Sequence, residues 1–339
     1  MDRTGYRLER LNEGNAEKWE DFNNDSVEGS FFHRLRWKNL IEKTSGSVNQ
    51  YFLLFKDDEV FGLFPFIEHG TGFFRGLVPL DDPQRIPAIL RDSGDPRAMN
   101  AVIRDLQKVT IDGKKVSFVR FSVVHKEILD TITTHPLLPV YNEGDMVLDF
   151  SESPPEQIWN TLSSNKQKMI KRFDKDGFTI TDVCSKNDLE LFYRYYYENI
   201  RYVGGDPQPL SRFSTLLESM SDEIRCTILS NGSLVAGGTL EFLDVSRKIV
   251  YGTYNSLNRN LPNKYSPSYY LWWKSLNWAW ENNFEKISMG VQHQDENNPR
   301  TLAKYSLGAR VEPLYSAMIP FTKTFALRYK LKRFINRRT

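Results

Sequence analysis

Cysteine is scarce. Cys184 and Cys226 are the only two among 339 residues. A disulfide-stapled secreted scaffold is thereby excluded; free thiols in a reducing compartment are expected, with one Cys184–Cys226 bridge as the alternative. No apolar run approaches the roughly 20 residues needed to cross a bilayer. The opening MDRTGYRLERLNEG has no apolar signal-peptide core, so a cytoplasmic location is expected. An excess of one charge is missing too: 45 Lys and Arg face 43 Asp and Glu, a net charge of +2. Anion binding must therefore come from local clusters rather than from a global field. The histidines and cysteines show no metal-ligand spacing, so no metal site is expected. GxGxxG, P-loop and GxSxG signatures are absent, which leaves no sign of a tightly bound cofactor.

What the chain does have is core. Hydrophobic residues make up 40%, with 22 Phe, 16 Tyr and 7 Trp, and the length suits two domains. The pattern mixes strands and helices, an α/β (α+β) composition. In the first half, Tyr6–Arg10 reads as a strand and the stretch 31–44 as a helix carrying Trp37. YFLLF and VFGLFPF flank a KDDE turn, a hairpin pattern. The paired prolines of SESPPE (151–156) suit neither a helix interior nor a strand, which places a boundary there. The expected division is 1–150, 151–320 and a basic tail, 321–339. An internal echo links the halves: LLFKDDEVFGLF (53–64) aligns without gaps to ILSNGSLVAGGT (228–239). Two similar units in tandem would account for it.

Five places point to chemistry. The helix SPSYYLWWKSLNWAWENNF (266–284) is apolar around most of its circumference, which predicts burial for its tryptophans. Its N-terminus is different: Lys264, Ser266 and Ser268 surround free backbone N–H groups, a site for phosphate. Gly237 and Gly238 interrupt a strand, as glycines do at a bulge or where a ligand comes close. An exposed N–H there could hydrogen-bond a thioester carbonyl of the donor, with steric relief for the neighbouring bulky helix as the alternative. Lys304 is an amine among apolar residues of a short helix, placed to polarise a carbonyl or hold a phosphate. The helix 163–177 carries Lys168 and Arg172 within a run of uniform positive sign, suited to an anionic acceptor. Arg201 and Tyr202 lie in a glycine-bearing loop, Tyr254 and Asn255 end a strand, and His293 follows the strand ISMG as a candidate proton acceptor. Trp37 completes the substrate-lining candidates. The tail KTFALRYKLKRFINRRT alternates cations with apolar residues, a pattern for membrane-surface or nucleic-acid contact.

These segments, in their order, resemble the FemAB-like and BioF2-like branch of the GCN5-related N-acyltransferases. The residues that carry the likeness are NKQKMIKRFDKDGF, VAGGTLEF, VYGTYNS, the tryptophan helix with ISMG, and LAKYSLGARVEPLYSAMIP, with looser matches at FFHRLRWKNLIEKT and FGLFPF. The resemblance implies two tandem acyltransferase-like domains, each a mixed twisted sheet flanked by helices. It implies transfer of an acyl or aminoacyl group to an amine without a covalent enzyme intermediate. Lys304 matches the lysine of a Phe-Lys-x-x-x-Gly-like element, although Ala303 stands where the aromatic would be. Members that use aminoacyl-tRNA often carry an inserted coiled-coil arm, and no long heptad run occurs here. Acyl-CoA or another activated acyl carrier is therefore favoured as co-substrate, with tRNA the one nucleic acid considered. A small or lipid-linked anionic acceptor is expected, in a setting such as cell-envelope synthesis. A catalytically degenerate binding module is the alternative.

Overall fold

The computed structural model describes residues 5–46, 49–71, 74–81, 83–139, 143–183, 185–232, 234–293 and 298–336. Cys184 lies outside them, and Cys226 is a buried free thiol.

The chain forms two compact units, Met1–Gly144 with Pro313–Thr339, and Asp145–Glu312. The first unit begins with β1 (Tyr6–Arg10), α1 (Ala16–Asp25) and α2 (Leu35–Ser45). It continues with β2 (Asn49–Lys56), β3 (Glu59–His69), β4 (Gly76–Pro79), α3 (Pro96–Leu106) and β5 (Phe118–Val123). Strand β6 (Glu143–Asp149) leads into the second unit. There α4 (Ser164–Lys175), β7 (Thr179–Asp182), α5 (Lys186–Tyr202), α6 (Leu210–Ser219) and β8 (Ile224–Asn231) follow. Next come β9 (Leu234–Asp244), β10 (Ile249–Leu257), α7 (Pro267–Glu281), β11 (Lys286–His293) and α8 (Pro299–Tyr305). Strand β12 (Arg310–Pro320) and helix α9 (Lys323–Asn336) close the chain. Both crossings between units fall inside strands, in β6 and β12. The first, between Gly144 and Asp145, precedes the paired prolines Pro154 and Pro155. The stretch from Pro313 onward belongs with the first unit, where β12 hydrogen-bonds to β5 through Tyr315–Pro320; a split at 150 followed by a separate tail does not describe it.

Each unit carries the same strand pattern. The path is β1-β2-β3-β4-β5-β12 in the first and β7-β8-β9-β10-β11-β6 in the second. In each, the first three contacts are antiparallel and the fourth, β4–β5 or β10–β11, is parallel. Each parallel pair is joined through a helix, α3 or α7, as a parallel connection requires. The sequence echo falls on the two hairpins and includes their irregularity. Leu54 pairs with Gly62 and Phe55 with Val60, so Phe61 is an extra residue. At positions 175 higher, Leu229 pairs with Gly237 and Ser230 with Val235, leaving Ala236 extra. A bulge at the same place in both repeats explains why valine, one residue and glycine recur in both.

The tryptophan helix α7 buries Tyr269, Tyr270, Leu271, Trp272, Leu276 and Ala279. One face packs against the sheet and against α4, where the Phe173 ring stacks on Tyr270. Burial holds for Trp272 alone of the four tryptophans, since Trp273 and Trp278 are half-buried and Trp280 is exposed. Pro267 opens the helix, its missing N–H falling where no intrahelical partner exists.

The bulge glycines have a packing role. A side chain on Gly62 would meet the Ile89 carbonyl oxygen at 2.7 Å, and one on Gly237 would run into that of Ser256. Gly62→Ala and Gly237→Ala should each destabilise the fold by about 2 kcal/mol or more. Thermal unfolding of either variant at wild-type temperature would contradict this account.

Candidate active site

Strands β10 and β11 pair over only three positions, Ile249 with Lys286, Val250 with Ile287 and Tyr251 with Ser288. Both run on, β10 to Leu257 and β11 to His293, without further pairing to each other among the described residues. Local sequence accounts for the parting. Gly252 follows the last pair, and the Trp272 ring occupies the space beside it, 2.5 Å from where a Cβ would stand. Thr253 is an extra residue in the register of β10 on β9, a bulge that bends the strand. A wedge opens between the two strands.

Lys304 stands at the inner end of that wedge. Its ammonium donates to the carbonyl of Met289, the first β11 residue past the pairing. It sits 5.9 Å from the Trp272 ring centroid and the residue is only 8% exposed. Its place is set by the end of helix α8. The Ala309 N–H donates to the Lys304 carbonyl at 3.2 Å and the Gly308 N–H to the Tyr305 carbonyl at 3.0 Å. Gly308 has φ +88°, so the spacing Lys-x-x-x-Gly is a helix terminus closed by a left-handed glycine. The Ser306 hydroxyl, 3.0 Å from that of Tyr269, ties this turn to α7.

Asp145 of β6 belongs to the same cluster. Its carboxylate accepts a 2.8 Å hydrogen bond from Ser288, which is buried. Burial pushes the Asp145 carboxyl up to about 6, and Glu312 adds to the rise, while the Ser288 bond and the Lys304 charge pull against it. Neither residue stands out in the sequence as a functional candidate. The available signals were Asp145 at the head of DMVLDF, which also holds Asp149, and Ser288 inside the otherwise apolar ISMG.

The remaining candidates separate. Tyr254 packs among Tyr196, Phe213 and Phe242, on the α5–α6 side of β10, whereas Gly252 faces Trp272 of α7; the structure does not bring it to Lys304. The His293 backbone closes β11, and its side chain lies outside the described residues. Gly237 and Gly238 lie in a strand hydrogen-bonded on both sides, by β8 and β10. No ligand can run alongside them there, and their task is to admit neighbouring carbonyls. Trp37 is fully buried against Phe31 and Phe32, a core residue that no substrate reaches.

At the N-terminus of α7 the Ser266 side chain makes no capping bond. Lys264 pairs with Asp176 at 3.3 Å, Arg172 donates to the Lys264 carbonyl at 2.9 Å, and Lys166 lies over the Tyr269 ring. Ser268 is half-buried in the first turn and Lys168 is exposed on α4. Arg201 pairs with Asp206 at 3.2 Å. Tyr202 is 72% exposed, with the Arg259 guanidinium 4.7 Å from its ring centroid. Arg259 donates to Asn199, which in turn donates to the Asn255 carbonyl at 3.0 Å. Tyr202 and Asn255 are thus linked through Arg259 and Asn199, which no sequence motif marks.

No protein-family model matches this sequence, and no curated protein matches it. Solved structures do. A FemX crystal structure is similar with a TM-score of 0.69 at 10% identity, over 95% of this chain and 99% of that one. A tandem GNAT protein from the clavulanic acid biosynthesis pathway gives 0.56 at 10% identity, over 94% and 99%. L-PGS from Bacillus licheniformis gives 0.52 at 10% identity, over 86% and 93%.

Asp145 yields a prediction about stability. Its folded-state value lies above the 3.8 of an unperturbed aspartate, so the folded protein holds this proton more tightly. Its contribution is complete below about pH 4 and is lost as pH rises through about 6. Asp145→Asn should remove that slope, so its melting temperature should gain on wild type between pH 4 and 7. A difference that stays constant over this range would show that Asp145 titrates as an exposed carboxylate. The chain has the fold of FemX and the tandem GCN5-related N-acetyltransferases, two acyltransferase-like units in one polypeptide.

Proposed function

We propose that the second unit is an N-acyltransferase that moves an acyl group from acyl-CoA to an amine of a small or lipid-linked anionic acceptor. One observation carries this reading: two parallel strands part beside a buried lysine. The wedge is a slot lined by backbone, the shape that suits an extended thioester chain. The thioester carbonyl would lie near Lys304 and the phosphates near the uncapped start of α7, at Lys264, Ser266 and Ser268. Lys264 would exchange Asp176 for phosphate when the donor binds.

The acceptor amine attacks the carbonyl carbon, forming the C–N bond. The carbonyl oxygen gains negative charge, which the Lys304 ammonium stabilises. Collapse of the tetrahedral intermediate expels the thiolate. Asp145 takes the proton from the amine nitrogen, directly or through water, because a carboxylate near pKa 6 is a better base than an exposed one. Arg201, Tyr202 and Asn255, on the α5 side, would receive the anionic acceptor. Lys168 and Arg172 of α4 would add positive charge beside the donor phosphates, and His293 is the second candidate for proton acceptor. The longest described helix, α5, has 17 residues, and the described residues hold no coiled-coil arm for a tRNA donor. A degenerate binding module is the second reading. It is favoured by Ala303 beside Lys304 and by the bond that already joins Lys304 to Met289.

Lys304→Met keeps the length of the side chain and removes its donors. It should lower kcat by about 100- to 1,000-fold, the worth of one oxyanion donor, with acetyl-CoA affinity within a few-fold of wild type. In Asp145→Asn the limb of the kcat/KM profile that rises through about pH 6 should vanish. Calorimetric titration with acetyl-CoA separates the readings: binding without turnover selects the module, and absence of both refutes the donor assignment.

A further inference from the structure

We propose that the outward face of helix α9 is a docking surface for anionic lipid membranes. The helix is held to the first unit by one face. The Phe325 ring stacks on Phe118 with centroids 4.2 Å apart and planes 12° apart, and Tyr329 stacks behind Phe325. The Arg328 guanidinium lies 4.0 Å from the Phe74 ring centroid. Packing is thus satisfied on that side, and the helix direction is fixed.

The other face is apolar and cationic at once. Leu327 and Leu331, one turn apart, are 63% and 54% exposed. Lys323 and Lys330 are exposed on the same helix. From Lys323 to the last residue the sequence holds seven Lys and Arg and no acid.

Charge complementarity decides the occupant. Seven cations without an acid call for a polyanion, and exposed leucines call for a hydrocarbon phase. A membrane of anionic lipid supplies both. Leucines enter the headgroup–acyl boundary, and each cation near the surface adds about fivefold to binding. Nucleic acid would satisfy the cations but leave the leucines in water. No described helix is long and apolar enough to cross a membrane, so α9 would lie along the surface. The inference stands on α9 alone and does not depend on acyl transfer by the second unit.

The test is co-sedimentation of the full chain with phosphatidylglycerol–phosphatidylcholine vesicles. Binding at least tenfold tighter than to pure phosphatidylcholine vesicles is expected, weakening as salt is raised. Leu327→Glu with Leu331→Glu, and separately Lys323→Glu with Lys330→Glu, should each reduce it at least tenfold. All four sites are exposed, so melting temperatures should match wild type. The salt series tests the charge contribution on the unaltered protein. Equal binding to neutral vesicles, or binding that both double variants retain, would overturn the proposal. So would wild type that ignores vesicles but binds single-stranded RNA, with affinity lost in the lysine pair alone.

Discussion

The second unit is organised around the place where β10 and β11 stop pairing. A parallel ladder normally satisfies the facing backbone groups of both strands, so parting them inside a fold exposes carbonyls that need a donor. The Lys304 ammonium meets the first of these, on Met289. A lysine this buried requires an anion or several acceptors nearby, and Asp145, held by Ser288, is the anion whose charge it feels. The strand geometry and the titration chemistry therefore depend on each other. A continuous ladder would leave Lys304 without its acceptor.

The same economy appears at the hairpins. In both units the bulge and the glycine after it occupy equivalent positions 175 residues apart. In the first unit the β4–β5 pairing covers two positions and β4 ends at Pro79. In the second, β10 continues for six residues past its last pair with β11. Two copies of one plan thus differ where the candidate chemistry sits. This is consistent with one unit holding a site and the other serving as scaffold.

The cations of α4 illustrate how a uniform charge run is used. Lys166 and Lys171 lie over aromatic rings and Arg172 over a backbone carbonyl, while Lys168 is exposed. Much of the positive face thereby helps hold α4 to α7 and to the segment before it. A charged helix face can be structural glue and an anion platform together, because a guanidinium or ammonium has several donors and a hydrated head.

Sequence alone determined the periodic features. Strand alternation, the proline-opened tryptophan helix, the echo of the hairpins and the glycine that ends the Lys304 helix are local patterns, set by residues close together in the chain. The resemblance to a tandem acyltransferase fold rested on the order of such patterns. What sequence left open was everything that depends on long separations. Ser288 lies 143 residues from Asp145, and nothing local in either strand indicates the other. Gly237 and Gly238 looked like ligand contacts because a glycine in a strand reports only that something comes close; tertiary structure showed it to be the neighbouring strands. Trp37 stood among the substrate-lining candidates, and packing buries it completely. Helical spacing told which residues share a face, and only the folded chain decided which face meets the core.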